Sequence, residues 1–441
     1  MNKNTIGILS LFVLIFGFTW YSNENFVNGY NMTNLVKWSS LYAIMGIGVA
    51  FVIITGGIDL SIGSVIGLVA SLLALAIKYE WDPTLTVVLL LGLSIVIGLL
   101  HGLLITKVKL QPFVVTLCGL LFYRGISRWL TDNQTMQFPG TDRLDSFFSG
   151  KVLLVDLLTP FGGVLLVLGS VLFIVTYVII MISVLKKNTG WGISNALLHI
   201  HIPFVTYIII MISVFKENTG WGISSALLHI PITVLCINKI KEFKKVFFIH
   251  HVGIGILILG LFSVFGLFTD SSFALAAPFF FLVLIAIMAA FFLNRTIWGR
   301  YLLALGNNED GARYSGIQTD RLKIAAYVIC SFLAGVSGLL FAYELDSVQP
   351  AQTGEFYELY AIAAAVLGGC SLRGGQGAIF GVIIAAAVIR LLRNSINLVG
   401  ISTHLEFSII GLVILGGVTA DELIKRIVAK RRSKQISASK S

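Results

Sequence analysis

The sequence predicts an all-α fold, a polytopic bundle of transmembrane helices, on three observations. Hydrophobic residues make up 57% of the 441-residue chain, charged residues only 12%, and the mean hydropathy is +0.93. Soluble domains carry roughly 25% charged residues, which argues against a water-soluble enzyme, a nucleic-acid binder or a disordered scaffold. Apolar runs near the length of about 20 residues that a membrane helix needs recur along the chain. The net charge of +10 is localised, because Asp421–Ser441 holds seven Lys/Arg against Asp421 and Glu422. Such a stretch reads as a basic tail rather than a nucleic-acid surface.

Taken in order, the first runs are Ile6–Trp20, Leu35–Ile54, Ser64–Ile77, Thr84–Thr106 and Phe113–Leu130. Next come Phe161–Leu185, two shorter pieces between Ile200 and Ile237, and Phe247–Phe268. Ala276–Leu293, Ile324–Tyr343, Leu359–Gly369, Ile379–Leu392 and His404–Val418 complete the series. The first run lacks a small-residue cleavage site and reads as a retained span. Several runs are short or broken by glycine pairs. Non-helical backbone at membrane depth is tolerated only against protein or a wet cavity, so the breaks point to a transport pathway. Basic loops at Lys107–Lys109, at Arg295–Lys323 and in the tail, with acidic loops between them, place both termini on the cytoplasmic side. Cys118, Cys236, Cys330 and Cys370 lie far apart in apolar stretches and read as packing residues.

Three glycine-bearing segments carry the functional signal. Thr55-Gly56-Gly57-Ile58-Asp59-Leu60-Ser61-Ile62-Gly63 and Gly368-Gly369-Cys370-Ser371-Leu372-Arg373-Gly374-Gly375 share the pattern G-G-x-x-L-x-x-G. Weak internal symmetry of this kind marks duplicated transporter halves whose broken helices point at a shared pathway. The candidate pathway residues are Gly56, Gly57, Asp59, Ser61, Gly368, Gly369 and Ser371. Asp59 is an ionisable group between two spans, hence a functional candidate. It is also a good helix cap, as is Ser61, for a helix starting near Ser64. The third segment, Gly299–Ile317, is the longest polar stretch on the cytoplasmic side; Asn307 to Glu309 can start a short helix there and Gly316 can end it.

These segments, with Leu110-Gln-Pro-Phe-Val-Val-Thr116 and Tyr357–Gly377, resemble the permease subunits of ribose-type ABC sugar importers, whose motifs occur here in the family's order. The resemblance implies a pathway enclosed by a dimer of permeases and a separate cytosolic ATP-binding cassette subunit. It also implies an external, periplasmic sugar-binding protein and a bacterial inner membrane as location. The ATPase would dock on Gly299, Arg300, Gly306, Asn307, Glu309, Ala312, Ser315 and Gly316. Gly311 departs from the family's alanine there, which costs up to about 1 kcal/mol of helix propensity. The chain has no G-x-x-x-x-G-K-[ST] phosphate loop, so it is expected not to be an enzyme. No cofactor, metal or nucleic-acid partner is expected.

Residues 155–272 have no counterpart in that resemblance. They include a tandem repeat in which Val175–Ile200 and Val205–Ile230 agree at 22 of 26 positions. The expected organisation is therefore an N-terminal transmembrane part (1–154), an inserted segment (155–272), a C-terminal transmembrane part with the coupling loop (273–426) and the tail (427–441). About ten spans belong to the family pattern and two to four to the insertion, with Phe161–Leu185 and Phe247–Phe268 the secure crossings. The insertion holds His199, His201, His229, His250 and His251. Their spacing resembles no zinc frame, and they read as interfacial residues beside Trp191 and Trp221. His101 and His404 stand alone. The function expected is passage of a monosaccharide or polyol. The alternatives are an ion-coupled secondary carrier of a small polar solute, using Asp59 or Glu406, and a redox protein built on the inserted histidines.

Overall fold

The computed structural model describes residues 3–137, 144–153, 274–345, 347–406, 408–413, 415–416 and 419. The chain divides into two units, one made of 1–152 with 272–441 and the other of 153–271. The expectations for the repeat, the inserted histidines, Cys236, the two inserted crossings and the tail lie outside the described residues.

Several helices of the first unit begin where a side chain accepts from an orphan amide. Helix α1 spans Lys3–Ser22 and α2 spans Gly29–Ile54. Asn28 opens α2, its side chain accepting from the Asn31 N–H at 3.1 Å, so this helix starts a turn and a half before its apolar run. Helices α3 (Ile62–Lys78), α4 (Pro83–Thr106) and α5 (Pro112–Leu130) follow. Proline stands in the first turn of α4 and α5, where its missing N–H costs nothing. Strand β1 (Met136–Gln137), the one-turn helix α6 (Asp145–Phe148), β2 (Lys151–Leu153) and β3 (Ala274–Ala276) lead to α7 (Ala277–Arg295). Then come α8 (Ile297–Asn307), α9 (Glu309–Tyr314), α10 (Thr319–Glu344), β4 (Ser347–Val348), α11 (Tyr357–Leu367) and α12 (Ile379–Val399). The strands form two short ladders: β1 pairs antiparallel with β4, Met136 opposite Val348, and β2 pairs with β3.

Helices α2 and α10 form the centre. In their apolar windows 89% and 72% of residues are buried, against 28% in α5 and α7. Around them pack α3, α4, α11 and α12. The outer faces of α5 and α7 present Leu121, Phe122, Trp129, Leu284, Ile287 and Phe291 outward. A soluble monomer rarely exposes so broad an apolar surface; lipid covers it here, and the protein is a multi-pass membrane protein.

Among the described residues, six helices are long and apolar enough to cross a membrane: α2, α4, α5, α7, α10 and α12. Six of the expected spans, of about ten, are thus clear among the described residues. Helices α3 and α11, 17 and 11 residues long, account for part of the difference. Each adjoins a glycine break, which leaves it too short for a full crossing of about 30 Å at 1.5 Å per residue.

The chain on either side of 155–272 comes together, the Ala277 N–H donating to the Gly150 carbonyl at 2.8 Å. Replacing 155–272 by a short Gly/Ser linker is therefore expected to preserve the first unit. Cysteines placed at Lys107 and Arg313 should keep their common sidedness toward an impermeant thiol reagent. Labelling of the two from opposite sides after the replacement would contradict this.

Candidate functional site at the meeting of the two glycine breaks

The first break closes α2 with a Schellman turn. Gly56 (φ +81°) donates to the Ile53 carbonyl at 2.8 Å and Gly57 to that of Val52 at 3.2 Å. The left-handed residue just past a helix end favours glycine because a Cβ is strained there. The second break repeats this geometry at the end of α11: Gly369 (φ +95°) donates to Val366 and Cys370 to Ala365, at 3.0 and 2.9 Å. The equivalent pairs are thus Gly56 with Gly369 and Gly57 with Cys370. The shared G-G-x-x-L-x-x-G spelling is one residue out of register with the backbone, so Asp59 corresponds to Leu372 and has no acidic counterpart in the second half.

The two breaks touch. Ile54, the last residue of α2, has a carbonyl without an intrahelical partner, and it accepts the Gly375 N–H at 2.9 Å. Helix α8 sits on this contact. A Cβ at Gly306 would overlap the Ile54 carbonyl oxygen and the Gly375 nitrogen. The next residue, Asn307, donates its side-chain amide to the Gly375 carbonyl at 3.3 Å. The structure therefore brings together Gly56, Gly57, Gly306, Asn307 and the loop carrying Gly368, Gly369 and Ser371. It does not bring Arg300, Ser315 or Gly316 there: Arg300 and Ser315 are exposed, and Gly299 serves the α7–α8 corner, where a Cβ would meet the Leu293 carbonyl.

Helix α9 hangs from α8 by one residue. Asn308 caps it, its side-chain oxygen accepting the Gly311 N–H at 2.9 Å, so the glycine that departs from the family pattern is still helical. Gly316 (φ +82°) ends it, as expected. Glu309 binds Lys323 at 2.7 Å and Arg313 at 3.3 Å; Asp320 binds Lys107 at 2.8 Å and Arg313 at 3.5 Å. The network ties α9 to the start of α10 and the end of α4, and Ala312 turns inward. Single exposed pairs contribute about 0–1 kcal/mol, so the shared network rather than any one pair orients the helix. Tyr314 projects from it, 91% exposed. The glycine punctuation of the segment gives no weight to this residue, and only its place on the free face reveals it.

Asp59 lies just beyond the first break and is buried. Helix α3 starts at Ile62 rather than Ser64, with Ser61 as its N-cap residue and no capping bond from the Ser61 side chain. Instead the Asp59 Oδ1 accepts from the Ser61 N–H at 2.8 Å and the Ser61 hydroxyl at 2.7 Å. Asp59 thus holds the turn entering α3 rather than the first helical amides. Thr116 and Tyr327 donate to the Ile58 carbonyl at 3.3 and 3.4 Å, and the Cys330 thiol lies beside the carboxylate. Nearby, His101 Nε2 meets the Tyr123 hydroxyl at 3.0 Å. Among the described residues Asp59 Oδ2 and His101 Nδ1 are buried without a hydrogen-bond partner. His101 is a member of this cluster that its sequence neighbours do not reveal.

The match to known proteins agrees with an inward-breaking transport bundle. Residues 31–198 and 200–418 match the family described as branched-chain amino acid transport system / permease component. The chain belongs to this family. It is a transporter subunit and not itself an enzyme. The two matched stretches meet inside the segment set apart above, at residue 199. The ribose import permease protein RbsC of Escherichia coli K12 is 26% identical over 95% of the permease and 93% of its own length. The xylose transport system permease protein XylH of Haemophilus influenzae is 26% identical over 96% of both chains. No solved structure matches.

Substitutions at three positions test the geometry. Gly306→Ala should destabilise the permease by about 1–3 kcal/mol, the usual cost of overpacking. Gly92→Ala, at an open position on α4, should be neutral or stabilising by up to about 1 kcal/mol; equal thermal midpoints for both variants would contradict the contact. Asp59→Asn keeps an acceptor for Ser61 and should retain uptake, whereas Asp59→Ala should lower it. Equal loss in both at equal membrane levels would assign the carboxylate a role in the pathway.

Proposed function

We propose that this chain is the membrane-spanning permease of an ATP-driven importer for a monosaccharide or related polyol, in a bacterial inner membrane with both termini cytoplasmic. It works as one of two permease copies that enclose the pathway. A separate ATP-binding cassette subunit docks on α8 and α9, and an external binding protein delivers the sugar. The observation that carries this reading is the seat of α8 on the hydrogen-bonded contact between the two breaks. A force applied at α9 reaches both broken helices through Gly306 and Asn307 without a flexible link. An ion-coupled carrier has no use for such a protruding cytoplasmic element. The ribose and xylose permeases among the relatives favour a sugar over the amino acid in the family's description.

In this account the residues have distinct tasks. Glu309, Arg313 and Asp320 orient α9, while Arg300, Tyr301 and Tyr314 present the contact surface. Gly56, Gly57, Gly368, Gly369 and Ser371 line the breaks, and Asp59 and Ser61 fix the turn leading into α3. ATP binding on the partner shifts a two-state equilibrium of the permease by its different contacts in the two states.

Tyr314→Ala combined with Arg300→Glu should weaken association with the ATPase subunit by about 2 kcal/mol, as loss of an interfacial anchor does. Glu309→Gln should weaken it less. Titration of the purified ATPase onto the permease in nanodiscs measures both. Undiminished affinity in the double variant would remove the docking surface from this account.

A further inference from the structure

The chain between α10 and α11 does not stay at the end of the bundle away from α8. After β4 it descends along α3 in a run of turns, residues 349–356. A Cβ at Gly67 would meet the Thr353 carbonyl oxygen, and one at Gly63 would overlap that of Gly354. Gly63 lies 15 residues before Lys78, where α3 ends, which is about 22 Å along the helix. Gly354 therefore sits at membrane depth, against a residue that follows Asp59 by only four positions. Helix α11 starts from inside the bundle for this reason and needs only 11 residues to reach its glycine break.

One side of this run is secured. Thr353 and Gly354 are buried against α3, and the Arg124 guanidinium reaches across from α5 to donate to the Thr353 carbonyl at 2.6 Å. The Thr353 N–H donates to the Gln349 carbonyl at 2.7 Å, and the Gln349 N–H donates to the Thr353 hydroxyl at 3.1 Å. The other side is left open by the described residues: Gln352, Glu355 and Phe356 are exposed. Non-helical backbone at this depth must be buried in protein or border water. A carboxylate and a carboxamide on its open side are costly against hydrocarbon. Dry packing on the same turn of a second copy would set Glu355 against its own charge. Water is the neighbour that fits. Phe356 adds a second sign, because it holds left-handed backbone at φ +61° while 44% exposed. That conformation is strained for a bulky residue and is found chiefly at functional positions. Packing of so exposed a ring offsets little of the strain.

We infer that residues 349–356 form a re-entrant turn lining the translocation pathway, and that Gln352, Glu355 and Phe356 contact the sugar on its way to the breaks. The chemistry suits a polyhydroxylated solute. The Glu355 carboxylate accepts from hydroxyls, the Gln352 amide both donates and accepts, and the Phe356 ring offers a face to C–H groups. Arg124 is a positioning residue, which holds the turn by its backbone and leaves the three side chains free. This inference rests on the sugar-importer reading above and adds pathway residues to it.

The test begins with the permease, its ATPase and its binding protein, assayed for uptake of D-ribose, D-xylose, D-galactose and myo-inositol as probes. Glu355→Cys is then made with Cys118→Ser and Cys236→Ser, and the permease–ATPase complex in nanodiscs is treated with the charged thiosulfonate MTSES. Because a thiol reacts as its thiolate, a water-lined position should be labelled about tenfold or more faster than Leu121→Cys on the outward face of α5. A transported probe in excess should slow the labelling of Glu355→Cys, and glycine betaine at equal concentration should not. In the complete importer, Glu355→Gln should lower the uptake rate of that probe about tenfold at equal membrane levels, as loss of a charged hydrogen-bond acceptor does. Labelling of Glu355→Cys no faster than of Leu121→Cys overturns the inference while the importer reading stands. So does labelling that the transported probe leaves unchanged, or full uptake in both Glu355→Gln and Phe356→Ala. A complex that takes up none of the probes overturns the sugar reading and this turn's role with it.

Discussion

Three backbones meet where no side chain fits, and the rest of the described structure is organised around that contact. The end of α2, the loop after α11 and the end of α8 approach so closely that Ile54, Gly306 and Gly375 touch through main-chain atoms. Main-chain contacts have few alternative arrangements, unlike contacts between long side chains. Displacing α8 must therefore either break the hydrogen bond from Asn307 to the Gly375 carbonyl or carry both broken helices along. A helix bundle packed only by interdigitating side chains would lose such a displacement within the soft rotamers of its surface.

The polar groups inside the bundle are distributed to match. Near the contact, the Asp59 carboxylate is spent on the turn into α3, with Thr116 and Tyr327 securing the neighbouring carbonyl. Far from it, Lys37 with Glu344 and Arg393 with Glu406 bind α2 to α10 and α12 to the segment that follows it. Breaking a buried pair by removing one partner costs about 3–5 kcal/mol, so the buried Lys37–Glu344 pair fixes α2 to α10 at that end of the bundle, away from the glycine breaks.

Much of this architecture was legible in the sequence. Hydropathy located the long spans, and the paired glycines located both breaks, because a left-handed residue after a helix end leaves a recognisable mark at Gly56 and Gly369. The stretch Asn307 to Glu309 and Gly316 announced α9. The limits of the reading are equally physical. The register of the repeat could not be read, since Gly57 and Gly368 are glycines as well and only φ decides which one turns. Apolar composition alone does not distinguish a short helix such as α11 from a full crossing. His101 read as standing alone and Tyr314 went unremarked, because the significance of each comes from its place in the fold and not from its sequence neighbours. The contact between Gly306 and Gly375 joins residues 69 positions apart, and no local pattern encodes it.

Hydrogen exchange at the Gly375 amide probes the central claim most directly, read by mass spectrometry on the permease–ATPase complex with and without a non-hydrolysable ATP analogue. The account predicts that nucleotide changes exchange in 297–307 and in 368–377 together, and in the same direction, because one contact joins them. A change confined to 297–307, with the amide of Gly375 equally protected in both states, would contradict it.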